Sequence, residues 1–227
     1  MKYLFVVAHP DDEVLGGGAT IHSLVRDNQE VSACILCGMA ESRSFRPSTE
    51  ELLEDMQKSK QTLGVSSIYA GNFHDSNLNF YPHSDVVKFI EEAIVEFKPE
   101  TIITHHPADL NADHQITSKC CQEAAKLSQR KTVDIPPLKQ LLYMEVLSST
   151  DWQLDRTITP FVPNLFVEVS WEAVITKIEA LKQYRGVMRE YPHPRSEEII
   201  TALASYRGGQ AGVNHAEAYE IAFRRGL

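Results

Sequence analysis

Two short strings of the chain combine residue types that can do chemistry. The first, Ala8-His9-Pro10-Asp11-Asp12-Glu13, sets an imidazole beside three carboxylates. The second, His105-His106-Pro107-Ala108-Asp109-Leu110-Asn111-Ala112-Asp113-His114, arrives about a hundred residues later. Charge of this density at the mouth of a core strand costs desolvation unless something cationic binds there. A catalytic zinc takes three protein ligands from His, Asp and Glu and keeps one position for water. His9 and Asp12, three apart on a turn entering a helix, can reach one ion, and His114 is the best-placed third ligand. Such a metal keeps residual positive charge, which acidifies a bound water and polarises a carbonyl oxygen. Asp11, adjacent to a ligand, suits the general base that takes the water's proton. Either string alone says little, since an Asp-His at a helix start is more often a cap with a surface histidine. Their pairing at two strand ends makes the metal reading.

The elements that must position these strings can be read from periodicity. Lys2 to Ala8 is a short buried strand. A helical stripe of Val14, Gly18, Ile21 and Val25 follows, and then a second apolar run from Val31 to Cys37. This βαβ opening implies a parallel sheet. Gly16-Gly17-Gly18 suggests close backbone approach, either to the sheet or to a ligand. The loop from Gly38 to Pro47 leaves a strand's C-terminal end, where open α/β sheets build their sites. Its Arg43 and Arg46 could grip a substrate or simply be solvated. Ser48 and Glu51 have capping-box spacing, and Gly64 ends that helix. A strand at 67–70, a helix capped by Ser84 and a strand at 101–104 follow, the last emptying into the second polar string. A helix from Gln115 and a strand at 140–147 complete residues 1–150. Residues 151–227 are expected to be irregular and helical, with a last short helix starting at Asn214-His215-Ala216-Glu217. The expectation is an α/β, Rossmann-like, mostly parallel sheet flanked by helices, with this C-terminal elaboration, as one domain over 1–227.

Bulk composition narrows the function classes. The 227 residues are 43% hydrophobic and 23% charged, enough to bury a full core. A formal charge of −9 argues against nucleic acid or an anionic membrane surface as the main partner. No signal-peptide pattern or membrane-length apolar run is present, so a cytoplasmic location is expected, and a homo-oligomer is compatible with the composition. Cys34, Cys37, Cys120 and Cys121 lie within apolar or helical stretches and read as core thiols.

The motif Ala8-His9-Pro10-Asp11-Asp12-Glu13 with Asp113-His114 resembles the PIG-L/LmbE family of zinc-dependent N-deacetylases, which remove acetyl groups from N-acetylglucosamine-type sugars. The ending Tyr206-Arg207-Gly208-Gly209…Gly212…Ala216-Glu217-Ala218-Tyr219 resembles that family's C-terminal pattern. The resemblance implies zinc held by His9, Asp12 and His114, with Asp11 as base and Asp113 as an auxiliary carboxylate. The same ligands accept Fe²⁺ or Co²⁺. Asp75, in Phe73-His74-Asp75-Ser76, sits where the family has a substrate-contacting Asp. The strings around 105–114 and 145–150, with Pro192-His193-Pro194-Arg195-Ser196, resemble a bacterial subset associated with surface polysaccharides. There Arg195 would meet a phosphate or hydroxyl of an N-acetylated sugar.

The chain departs from many relatives at two positions. Asn111 stands where they have a histidine three residues before the last ligand. An amide can donate to an oxyanion but cannot supply a proton at neutral pH. His193, then His106, is the candidate acid, and Asp11 could also return its proton. Leu52 replaces an arginine that thiol-conjugate members use. That departure weakens a thiol-conjugate assignment; a thiol-conjugate or other small-molecule amidase nonetheless stands as one alternative. A metal-free nucleotide- or sugar-binding protein using the Gly-rich turn is another.

Overall fold

The computed structural model describes residues 1–39, 47–130, 133–155 and 157–226; Arg43 and Arg46 lie outside these. The first apolar run forms β1 (Lys2–Val7), and its alternation decides the layering. Phe5 and Val7 face one core cluster, while Leu4 and Val6 face another. A strand buried on both faces in this way needs helices on both sides. The first cluster is completed by α1 (Asp12–Arg26), α2 (Thr49–Leu63), α5 (Trp171–Lys182) and α6 (Glu197–Ala211). The second is completed by α3 (His83–Phe97) and α4 (Ala112–Ala124), and holds Cys34, Cys37, Cys120 and Cys121 as free buried thiols.

Between them runs one seven-stranded sheet in the order β3-β2-β1-β4-β5-β7-β6. Its parallel part comprises β1, β2 (Glu30–Ile35), β3 (Ser67–Ala70), β4 (Thr101–His105) and β5 (Gln140–Met144). The order reverses at β1, whose neighbours are β2 on one side and β4 on the other. The C-terminal ends of β1 and β4 therefore flank the switch point, where such sheets place their ligands. Both polar strings begin there.

The C-terminal segment differs from the sequence expectation. It supplies α5 and α6, but also β6 (Leu165–Glu168) and β7 (Ala216–Arg224), which extend the sheet, β7 pairing antiparallel with β5 and β6 antiparallel with β7. The short helix expected from Asn214 is a strand. Ala and Glu favour helix locally, but pairing on both edges of β7 outweighs that preference. Gly208-Gly209 lies inside α6, which stops at Gly212 with φ 76°. Gly208 lets the returning chain pass close, since a Cβ there would lie 2.6 Å from the Asn214 carbonyl oxygen. The Ser48–Glu51 capping box and the Gly64 stop of α2 form as expected. By contrast α3 begins at His83, after Pro82, without a Ser84 cap.

The glycine run resolves in favour of packing. A Cβ on Gly16 would lie 2.3 Å from Met144 Sδ, and one on Gly17 2.4 Å from Phe5 Cε1. Gly17 also leaves the helical conformation, so α1 is kinked (φ −155°, ψ 16°). The amides of Ala19 and Thr20 donate instead to the Glu217 carboxylate, at 3.2 and 2.7 Å. Lys177 from α5 neutralises that buried carboxylate at 2.6 Å.

Candidate functional site

His9 leaves the end of β1, Asp12 opens α1, and His114 lies in the first turn of α4, whose Asn111 cap accepts the Asp113 amide. Folding brings the three together. His9 Nδ1 lies 3.2 Å from Asp12 Oδ2 and 3.2 Å from His114 Nε2, and His114 Nε2 lies 3.2 Å from Asp12 Oδ2. All three side chains are buried.

The opposite ring nitrogens are held by further carboxylates. His9 Nε2 faces Asp113 Oδ2 at 3.1 Å and Asp75 Oδ1 at 3.3 Å. His114 Nδ1 faces Asp109 Oδ2 at 3.2 Å. A carboxylate there fixes the N–H on the outer nitrogen and leaves the inner lone pair for a metal. The inner faces then present two lone pairs and a carboxylate oxygen to one point. That arrangement is repulsive without a cation, and it fits a divalent ion. The electrostatics agree. Burial opposes charging His114, yet Asp12 and Asp109 raise it to about 9. Burial likewise opposes the charge on Asp12, but His114, with the His9 hydrogen bond, holds it well below the ordinary carboxylate range.

The supports of this triad reach across the sheet. Asp109 accepts hydrogen bonds from the Ser149 and Thr150 hydroxyls that follow β5 and from the Asn111 amide N–H. His114, and after it the Ser149 hydroxyl, hold it at about 2 despite burial. Asp113 accepts from the Ser76 and Leu78 amides at 2.6 and 3.2 Å, tying the loop after β3 to the site. His105 stacks on His114 at 3.8 Å between centroids and accepts the Ala8 amide through Nε2. Burial, and then the neighbouring His114, push it down to about 3, so it stays neutral. Asp109 and His105 were part of the second string, but nothing in the sequence marked them as supports.

Asp11 occupies the N-cap of α1 at φ 114°, and its side chain makes no cap bond. It lines an open cleft of about 710 Å³ together with His9, Asp12, His114, Asn111, Ser148 and Ser149. Glu13 braces this turn, accepting the Asp11 amide and the Tyr184 hydroxyl, while burial pushes its carboxyl up to about 7. Asn111 spends its carbonyl on the Asp113 amide, which leaves its NH₂ to donate into the cleft. Arg195, from the loop between α5 and α6, reaches in, with Nη1 3.2 Å from Asp11 Oδ2 and Nε donating to Ser148 Oγ at 2.8 Å.

Three expected residues sit differently from their sequence reading. Asp75, expected to contact substrate, is buried with Oδ1 3.3 Å from His9 Nε2 and is not among the residues that line the cleft. His193 reaches the cleft only at its exposed rim, its Nδ1 accepting the Arg195 amide. Partial burial, then Arg195 and Arg189, lower its pKa. His106 is packed between Tyr143 and Phe161, away from the cleft. Arg185, Gly186, Val187 and Arg189 complete the rim, which sequence reading missed.

The family profile described as GlcNAc-PI de-N-acetylase (PIG-L) matches residues 4–125, from β1 through α4, and so takes in both polar strings. The chain belongs to the PIG-L family. A diacetylchitobiose deacetylase from Thermococcus kodakarensis is 25% identical over 224 residues, covering 95% of this chain and 81% of that protein. The solved N,N'-diacetylchitobiose deacetylase from Pyrococcus horikoshii superposes with a TM-score of 0.77 at 21% identity, covering 97% of this chain and 83% of that one. GalB, a 4-carboxy-2-hydroxymuconate hydratase from Pseudomonas putida, superposes with a TM-score of 0.76 at 19% identity, covering 100% and 98%. The PIG-L scaffold thus does not choose the reaction, and function must be argued from the site.

Proposed function

We propose that this protein is a metal-dependent hydrolase that removes the acetyl group from an N-acetylated amino sugar. The observation that carries the reading is the convergence of His9 Nδ1, Asp12 Oδ2 and His114 Nε2 beside a cleft-facing carboxylate, Asp11. Zn²⁺, or Fe²⁺ or Co²⁺ with the same donors, held by this triad would supply a Lewis acid for the carbonyl and acidify the attacking water. Asp11 takes the proton as water adds to the acetamide carbon. Asn111 donates its NH₂ toward the carbonyl oxygen. With His193 at the rim and His106 packed away, Asp11 is the group placed to return that proton to the leaving amine. Acetate and the free amino sugar result.

The two sequence alternatives lose support. Leu52, where thiol-conjugate members carry an arginine, is packed in the core. The glycines that a metal-free binding protein would offer to a ligand are filled by Met144, Phe5 and Lys177. The test is metal analysis of gently purified protein, with acetate release from N-acetylglucosamine, diacetylchitobiose, a nucleotide-linked N-acetyl sugar and an acylated thiol conjugate. Near-stoichiometric divalent metal and acetate from one of the sugars are expected. No acetate from any sugar after loading with Zn²⁺, Fe²⁺ or Co²⁺ would sink the reading.

A further inference from the structure

We infer that Arg195 is a further catalytic residue, whose guanidinium stabilises the oxyanion that forms when water adds to the amide carbonyl. The inference rests on the deacetylase reading above. Among the described residues three arginines line the cleft, and they are not equivalent. Arg185 is taken up by Glu51, Glu54 and Asp55 of α2. Arg189 makes no ion pair among the described residues and is exposed. Arg195 alone of the three contacts a residue of the chemistry, Asp11.

Its geometry suits a fixed donor. Nε is held by Ser148 Oγ and Nη1 by Asp11 Oδ2, while Nη2 has no partner among the described residues. The side chain is one-quarter exposed, so the charge is only partly screened. Preorganised donors aimed at developing charge need no rearrangement during the reaction, which is why they contribute so much.

The charge balance of the step places the same demand on this position. As water adds, a C–O bond forms and the carbonyl π pair moves onto oxygen. The water proton goes to Asp11, which becomes neutral. One negative charge vanishes from Asp11 as another appears on the carbonyl oxygen, and Arg195 can serve both through adjacent N–H groups. On collapse the oxygen pair re-forms the carbonyl, and the C–N bond breaks with its pair on nitrogen. The proton returns from Asp11 to that nitrogen. With neutral Asn111 in place of the relatives' histidine, Arg195 is, among the described residues, the cation in contact with Asp11.

The experiment compares Arg195→Met, Arg195→Lys and Ser148→Ala with the parent protein, all metal-loaded and with metal content and thermal unfolding checked. Two probes are used: diacetylchitobiose as substrate, and glucosamine carrying a methylphosphonamidate in place of its acetamide as a tetrahedral mimic. In Arg195→Met we expect kcat to fall by about 10²–10³-fold, the scale for loss of one oxyanion donor. KM should hold within about threefold, and affinity for the mimic should fall in parallel with kcat. Arg195→Lys should recover part of both, and Ser148→Ala should lose less than Arg195→Met. A raised KM with kcat intact would mean that the guanidinium grips the sugar's substituents instead. Unchanged kcat and mimic affinity in Arg195→Met, with an active parent, would overturn the inference alone. A parent that neither releases acetate nor binds the mimic would overturn the deacetylase reading itself.

Discussion

At Asp11 the backbone is held at φ 114°, a conformation that costs a non-glycine residue about 1–3 kcal/mol. The return on that strain is a carboxylate turned into the cleft, away from the helix N-terminus it could have capped. Asp11→Asn keeps the shape but cannot accept a proton. Turnover should fall by about 10²–10⁴-fold, the range for a positioned general base, with metal content unchanged. Residual activity near the parent's would remove Asp11 from the mechanism. Asn111 is a weaker case, because it both caps α4 and faces the cleft. Asn111→Ala should cost about 1 kcal/mol of stability through the lost cap, together with a moderate drop in kcat. Behind the ligands, Asp109 fixes the ring of His114. Removing such an outer partner lowers metal affinity by about 10–100-fold. Competition with a chromogenic chelator should show that loss in Asp109→Asn while far-UV circular dichroism stays unchanged.

At the scale of elements, the kink of α1 and the C-terminal strand form one device. Gly17 breaks the helix, and Glu217 of β7 takes up the two amides freed by the break. Lys177 of α5 makes the buried carboxylate tolerable. The turn carrying Asp11, Asp12 and Glu13 is thereby tied to the far end of the chain. Removing one partner of a buried ion pair leaves the other uncompensated, a loss of about 3–5 kcal/mol. Glu217→Ala should lower the unfolding free energy read from urea denaturation by that amount and Lys177→Met by less, since Glu217 would keep its amide donors. If Glu217→Ala unfolded like the parent, this tie would not be holding α1. The sequence showed the Ala216-Glu217-Ala218 motif and the three glycines but not that they meet. Their contact depends on β7 being a strand, which local propensity argued against.

For the molecule as a whole, the triad is a place where folding concentrates like-charged lone pairs, so a bound cation should stabilise the native state against the unfolded one. Free metal about a hundredfold above its dissociation constant adds about 2.7 kcal/mol. For a chain of this size that is an upward shift of roughly 5–10 °C in Tm. Differential scanning fluorimetry with and without a chelator reads it directly. No shift in the parent, or the same shift in His114→Ala, would count against a site built from His9, Asp12 and His114. Among the described residues no helix is long and apolar enough to cross a membrane.

Read alone, the sequence showed the parallel βα architecture and the two polar strings from which the ligand set and the base are proposed, because each string is local. His9, Asp11 and Asp12 share one turn, and Asp113-His114 open one helix. The unbroken apolar run of β1 announced a buried strand. Tertiary structure alone decided which nitrogen of each histidine faces inward, because that depends on Asp113 and Asp109 lying behind the rings. It placed Asp75 beneath a ligand and brought Arg195 to Asp11 across 184 residues of chain. It also turned a helix-favouring Ala-Glu segment into the strand that holds α1. The physical reason is the same throughout: these outcomes rest on partners distant in the chain, whose pairing energies exceed what a local stretch prefers on its own.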